Sequence, residues 1–508
     1  MEKQYQVEPV ILKNAHLDKP EYDGDIYENR QKSYLMYEQE DVVKCSIVVT
    51  AWNRIEKTRY CVECILKYAP NISYELILVD NDSTDGTYEY FQSVPYENKV
   101  IVKSEKNLGF NFSWLCVKNI CKGKYIVDIK NDVYLTKNAL DNLLFCMESD
   151  PKIGNVMAMS SNVSNGQQVD LEYSDFDEMQ VKAEAFNQRD LSKWEERMRL
   201  ISLIVIYRRE VLDIVGVFDP AFVHDFSEDD FCMRVRRAGY KMILCGDTWV
   251  CHDHDFRNME GKDPNEYQTN LDSGRRIFEQ KYHGIDAWGD INNFEYTLLW
   301  LLDGVPFDTQ SVSALCVDVR CGTPVLEIRN RLRKREITDV KSFAYTTQAK
   351  YFTDLQTTVS EVYCDKSYCV QNYYDNEAFD IITLGEPINT YDKPTSFLRS
   401  LFGLLKPGGV LLFKLRNTDD YRAFLRTAGL GGACDPDSPS CFTVDNVVQC
   451  INSMGEQNDV QIMAEPHMLN DADWQTISSL LWSVNPNAND NDCARLTIDN
   501  YCFCAGKK

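Results

Sequence analysis

Four short apolar runs, each followed at once by polar or acidic residues, constrain this chain more than any other feature: CSIVVT from Cys45, YELILVD from Tyr74, NKVIVKS from Asn98 and GKYIVDI from Gly123. Amphipathic stretches of helical length separate them. This alternation predicts a mostly parallel sheet with helices on its faces. Ligands of such sheets bind beyond the carboxyl ends of the strands, so the residues that follow each run are the candidates for chemistry. They are Thr50-Ala-Trp-Asn-Arg54, Asp80-Asn-Asp-Ser-Thr-Asp-Gly-Thr87, Asn107-Leu-Gly-Phe110 and Lys130-Asn-Asp-Val133.

A second alternating segment begins near Ser311 and runs through SALCVDVRCGTP, FDIITLGEP and LKPGGVLLFKL to YCFCAGKK. The expected organisation is an N-terminal extension over residues 1–42, an α/β domain over 43–288, a linker over 289–310 and a second, Rossmann-like α/β domain over 311–508. The extension is polar and acidic, without a clear period, and suited to wrapping a neighbouring surface.

A formal net charge of -24 repels nucleic acid and anionic lipid over most of the surface, which argues against either as the main partner. No apolar run approaches the length of a membrane span, and no apolar signal-peptide core stands at the N-terminus. The expectation is a cytoplasmic protein with no transmembrane segment, of unknown oligomeric state. The 19 cysteines are scattered, often inside strand-like runs, and read as buried free thiols. Cys61 and Cys64 form a lone CxxC with no second pair at zinc-site spacing.

One stretch resists a purely structural reading. FDPAFVHDFSEDDFCMRVRRAGY sets Glu228, Asp229 and Asp230 side by side in apolar surroundings. Helical spacing runs onward from Asp230, with Gly239 as its C-terminal cap. Ser227 and Asp230 have the spacing of a capping box, in which the acids offset the helix dipole.

Residues 43–288 resemble a family-2 inverting glycosyltransferase with the GT-A fold, through SIVVTAWNR, LILVDNDSTDGT, NLGF, YIVDIKNDV, RREVLDIVGVFDP and SEDDFCMRVRRAGY in that order. The resemblance implies a nucleotide-sugar donor, a UDP-sugar being favoured, and a divalent metal, Mn or Mg, against the diphosphate leaving group. Asp132 is the implied metal ligand. The family has an acid two residues earlier, where this chain has Lys130, a cation suited to touching phosphate. His252 in DTWVCHDHD falls in a metal-binding column, with His254 as its rival.

Thr50, Arg54, Asp80, Asn81, Asp82, Asn107, Lys130 and Asn131 are the implied nucleotide-sugar contacts, whereas Asp85 and Gly86 read as the start of the next helix. The family places its general base at the start of the SEDDFC helix. Alignment on Phe231 and Cys232 puts Glu228 in that column; alignment on the acidic pair puts Asp229 there.

Residues 311–508 resemble a class I S-adenosylmethionine-dependent methyltransferase, whose cofactor loop survives here as Asp318, Cys321, Gly322 and Thr323. Arg320 and Pro324 replace its first and last glycines, and Lys341 is read as standing where an acid holds the ribose. The resemblance therefore implies a degenerate pocket and argues against ordinary S-adenosylmethionine binding.

The expected function is metal-dependent inverting sugar transfer to a hydroxyl of a glycan or protein, in bacterial surface glycosylation with flagellin among the candidate acceptors. The alternatives are a bifunctional glycosyltransferase and methyltransferase, and a non-catalytic scaffold of a glycan-assembly complex.

Overall fold

The computed structural model describes residues 5–12 and 43–508 apart from 70, 110–113, 115–116, 220, 223–224, 255–263, 308, 419, 422–441, 456–457, 468 and 470. Two compact units divide between Asn292 and Asn293.

The first unit is built on a ten-stranded sheet. Its strands are β1 (Val10–Leu12), β2 (Cys45–Ala51), β3 (Tyr74–Asp80), β4 (Lys99–Ser104), β5 (Tyr125–Lys130), β6 (Val133–Tyr134), β7 (Ile153–Ser160), β8 (Trp194–Arg197), β9 (Ile204–Arg208) and β10 (Lys241–His252). The order is β1-β4-β3-β2-β5-β9-β7-β10-β6, with β8 beside β10. The strands from β1 to β5 in that order are mutually parallel, and β9 runs against both β5 and β7. The N-terminal extension thus contributes an edge strand, since β1 pairs with β4.

The helices are α1 (Ile55–Tyr68), α2 (Thr87–Ser93), α3 (Ala139–Ser149), α4 (Phe176–Phe186), α5 (Arg209–Val215), α6 (Ser227–Arg237) and α7 (Pro264–Lys281). Alternate strand residues point to opposite faces, and the two faces carry separate cores. Ile47, Val49, Leu76 and Leu78 join Cys61, Val62 and Ile65 of α1 and Leu140 and Leu143 of α3. Val48, Ile77 and Val79 join Val211 and Leu212 of α5 and Phe231, Cys232 and Val235 of α6. Burial on both faces is why these strands read as continuous apolar runs.

The second unit opens with α8 (Tyr296–Asp303), which lies inside the stretch expected to be a linker. Leu298, Leu299, Leu301 and Leu302 are buried, so this segment is core-forming helix. The seven strands are β11 (Ser311–Val317), β12 (Asp339–Thr346), β13 (Glu361–Cys364), β14 (Phe379–Leu384), β15 (Leu405–Arg416), β16 (Asp459–Pro466) and β17 (Ile498–Gly506). Their order is β13-β12-β11-β14-β15-β17-β16: five parallel strands extended by an antiparallel pair. Helix α9 (Thr323–Lys334) follows β11, and the order reverses between β11 and β14, the switch point of a Rossmann-like sheet. Both units are α/β with mostly parallel sheets, as expected.

Of the 15 cysteines whose side chains are described, 13 are buried; Cys364 is exposed and Cys369 half-exposed. Cys61 and Cys64 are on the inner face of α1, where they serve as core residues.

Candidate active site

At the carboxyl end of β2 the chain turns sharply through Asn53 (φ 58°) and Arg54 (φ 60°), two successive left-handed residues. The loop after β3 holds this turn. Asn53 N–H donates to Ser83 Oγ (2.9 Å), Thr84 N–H donates to Asn53 Oδ1 (2.9 Å), and Ile55 N–H donates to Asp85 Oδ2 (2.8 Å). The other oxygen of Asp85 accepts from Thr87 Oγ1 (2.6 Å), and Gly86 enters α2 at φ 94°, a conformation that favours glycine. Asp85 therefore serves the first turns of both α1 and α2.

Asp80 is fully buried. Its Oδ1 accepts from Ser83 N–H (3.0 Å), while Oδ2 has no hydrogen-bond partner among the described residues. Burial raises its pKa, and an unpartnered buried acceptor is costly until something donates to it. Asn81 and Asn107 spend their amides on each other and on the adjoining loop: Asn81 Nδ2 donates to Asn107 Oδ1 (2.8 Å), and Leu108 N–H donates to Asn81 Oδ1 (2.9 Å). Asp82 is exposed and Thr50 half-buried. Phe110 of the NLGF motif lies outside the described residues. Trp52, which sequence reasoning passed over, is 55% exposed at the same strand end.

Asp132 follows β5, and its Oδ2 lies 3.3 Å from Nη1 of Arg54. Its Oδ1 is 3.8 Å from Nε2 of His252, at the end of β10. One ligand atom each from Asp132, His252 and His254 lie within 4.8 Å of one another, so the structure joins the two histidines that the sequence left as rivals. His252 Nδ1 is 3.0 Å from the Asn162 carbonyl. A carbonyl only accepts, so Nδ1 carries the proton and Nε2 presents its lone pair toward Asp132. Burial lowers the pKa of His252, which favours the neutral, ligating form. This donor set of one carboxylate and two imidazoles fits a divalent cation.

Lys130, which stands where the family has an acid, donates through Nζ to Asp128 Oδ2 at 3.4 Å, and that carboxylate is 1% exposed. Asn131 instead donates to Thr58 on α1 (3.0 Å).

The three acids heading α6 have separate surroundings. Phe226, in the left-handed region at φ 68°, stands before the helix without a side-chain cap, and Ser227 begins it. The expected capping box is therefore absent. Asp230 is fully buried and taken up by Arg234 (2.9 Å), Lys281 (2.6 Å) and Tyr282 (2.7 Å), partners from α6, α7 and beyond that compete away any capping role. Asp229 is ion-paired with Arg199 Nε.

Glu228 is half-buried. One oxygen accepts from Ser202 N–H (3.0 Å), and the other takes no hydrogen bond among the described residues. Ser202 precedes β9, and its neighbour Leu203 accepts from Lys130 N–H (3.2 Å), which brings Glu228 to the same sheet edge as Lys130. Desolvation raises the Glu228 pKa, and the nearby Lys130 charge opposes that rise. Arg199 and Ser202 carry no local motif; only the tertiary fold brings them to α6.

In the second unit the residues expected to line a degenerate cofactor pocket are engaged by their own chain. Asp318 accepts from Thr347 N–H (2.6 Å), Thr347 Oγ1 (3.0 Å) and Tyr391 OH (2.6 Å). Arg320, at φ 52° where a glycine would be at ease, pairs with Glu386 (3.1 Å) across the switch point. Gly322 adopts φ 105°, and a Cβ there would meet Thr358 Oγ1 at 2.7 Å. Cys321 and Thr323 are buried. The expectation for Lys341 is corrected: it pairs with Ser313 in the first half of β12 and is exposed. Ser342 to Thr346 continue the strand, so Thr347 reaches the pocket instead.

Residues 46–214 match the family model described as glycosyl transferase family 2. The O-antigen chain rhamnosyltransferase WbaN of Salmonella anatum is 25% identical over 230 residues, 42% of this chain and 64% of that protein, so the matched span is less than two thirds of the relative. Among solved structures, GalNAc-T7 with UDP, GalNAc and Mn2+ is similar at 12% identity and a TM-score of 0.38, covering 54% of this chain and 53% of its own. A SAM-dependent methyltransferase from Archaeoglobus fulgidus is similar at 12% identity and a TM-score of 0.29, covering 46% and 99%.

Proposed function

We propose that this protein transfers a sugar from a nucleotide-sugar donor to an acceptor hydroxyl with inversion at the anomeric carbon, Glu228 acting as general base. The observation that carries this reading is the Glu228 carboxylate: one oxygen is anchored on a backbone N–H and the other takes no hydrogen bond among the described residues, while Asp229 and Asp230 are both ion-paired. The match of residues 46–214 to glycosyl transferase family 2 supports the reaction class.

In this mechanism Glu228 Oε2 takes the acceptor hydroxyl proton, the hydroxyl oxygen bonds to the anomeric carbon, and the nucleoside diphosphate leaves with the electron pair of the broken bond. Asp132, His252 and His254 would hold a divalent cation, Mn or Mg, which when bound neutralises charge on the diphosphate. Arg54 and Lys130 supply fixed cations at the same edge. The buried, unpartnered Oδ2 of Asp80 is suited to a ribose hydroxyl or base imide, and the exposed ring of Trp52 to stacking on the base. The donor we favour is a UDP-sugar.

The Salmonella relative is named for O-antigen chains, which supports a surface glycan as acceptor ahead of a protein such as flagellin. The second unit serves as a retired methyltransferase-like domain. Its Asp318 carboxylate and switch-point loop are satisfied internally, so S-adenosylmethionine should not raise its melting temperature.

The test is release of free nucleotide from UDP-, GDP- and dTDP-sugars with Mn2+, comparing the native chain with Asp132→Ala. Turnover of one donor, lost with Asp132→Ala, is the expected result. No turnover together with no donor binding by calorimetry would favour a scaffold.

A further inference from the structure

A second group of ligand-type side chains lies in the second unit, outside the switch-point pocket. Asp420 follows β15, His467 immediately follows β16, and Asp499 is the second residue of β17. The backbone fixes all three neighbourhoods: His467 N–H donates to Thr497 O (2.7 Å), and Asn417 N–H donates to Asp499 O (2.8 Å). His467 Nε2 lies 3.3 Å from Asp420 Oδ2 and 3.4 Å from Asp499 Oδ1. The ring edge of Tyr421 meets the imidazole at 5.0 Å and 88°, holding its plane.

We infer that Asp420, His467 and Asp499 form a binding site for a divalent transition metal, Zn2+ or Mn2+. The separations carry the inference. Ligand atoms bonded to one tetrahedral ion at about 2.0–2.1 Å lie about 3.3 Å apart, so two edges of the polyhedron already have their length before any ion enters. Two carboxylates with a neutral imidazole also supply the charge of -2 that a divalent ion needs, and mixed oxygen and imidazole donors suit Zn2+ and Mn2+.

The burial is graded. The Asp420 side chain is 4% exposed, that of His467 13% and that of Asp499 34%, so the group is most accessible from the Asp499 side. A cavity of about 540 Å3, lined in part by Arg416, Asn417, Arg495 and Tyr501, adjoins the same segments. Asp499 and Tyr501 are two residues apart on β17 and so share a face. A metal here ties Asp420, four residues past β15, to the antiparallel strand pair. This inference is independent of the sugar-transfer reading.

The experiment uses the full-length chain carrying Asp132→Asn, which removes the carboxylate of the first metal site. Zn2+ binding is measured by equilibrium dialysis, and Co2+ substitution is followed by visible absorption. One equivalent should remain in the Asp132→Asn protein. Adding His467→Asn or, at the more exposed position, Asp499→Asn should weaken it by about 100-fold or more, beyond the effect of losing an outer-shell partner, and abolish the Co2+ bands. Unchanged metal binding in both added variants, or no equivalent in the Asp132→Asn protein, would overturn the site and leave His467 as an imidazolium bridging two carboxylates.

Discussion

Arg199 donates through Nε to Asp229 Oδ1, and this ion pair separates Asp229 from Glu228, its neighbour in sequence. The side chains of both partners are largely buried, 14% and 3% exposed. Removing one partner of such a pair leaves the other charge in a poorly solvated place, at a cost of about 3–5 kcal/mol. Asp229→Ala should therefore lower the stability of the first unit by that amount in urea unfolding, whereas Glu228→Ala should not.

The pKa of Glu228 is raised by desolvation. A base works only when ionised, so the acid limb of kcat/KM should lie above the ordinary glutamate value near 4.5, with activity falling as pH falls through it. The stability consequence has the opposite sign. A raised carboxylate contributes stability below its unfolded pKa and loses it as pH rises through the folded one. At pH 7–8 Glu228→Gln should thus melt at or above the native temperature, by about 2 °C, while its turnover falls by about 100-fold or more. Differential scanning calorimetry at pH 5 and pH 8 checks the first statement.

His252 presents Nε2 because Asn162 O engages Nδ1. With a single carboxylate in the donor set, the imidazole should matter more than in a site with two acids. His252→Ala should weaken Mn2+ binding by about 100-fold with little change in fold, as read by calorimetric titration. Burial lowers the pKa of the ring below the ordinary imidazole value, so Mn2+ binding by the native chain should fall off at a lower pH than it would with an ordinary imidazole in that position.

Burial pushes Cys45, Cys64, Cys121, Cys232, Cys316, Cys502 and Cys504 up to about 12. The thiolate is the reactive form, so iodoacetamide at pH 8 should leave these seven unlabelled in the folded protein. Among the cysteines whose side chains are described, Cys364 and Cys369 should carry the label, and the buried ones should react only after denaturation; peptide mapping reads this directly.

Strands β2, β3, β4, β5, β11, β14, β15 and β17, and the sheet edge that carries Asp80 and Asp132, were legible because apolar runs bounded by polar residues encode buried strands locally; short or edge strands such as β1, β6 and β13 carry too few apolar residues to show. The choice between Glu228 and Asp229 was not legible. It turns on Arg199 and Ser202, which are distant in sequence and carry no motif of their own. Asp230 looked like a cap because three-residue spacing is a local signal, while its partners Lys281 and Tyr282 come from about fifty residues away. Lys341 was misplaced for a related reason: a strand continuing through Ser342, Phe343 and Ala344 has no punctuation to show where it ends. Helix α8 was missed because its eight residues are too short to display a period.

In the proposed reaction Glu228, and neither of its acidic neighbours, takes the acceptor proton. The direct measurement is Mn2+-dependent nucleotide release from the preferred donor by the native chain, Glu228→Gln and Asp229→Asn, with donor binding measured in parallel. The account predicts that Glu228→Gln binds donor normally and does not turn over, while Asp229→Asn turns over in proportion to the fraction folded. Native turnover by Glu228→Gln, with loss confined to Asp229→Asn, would contradict it.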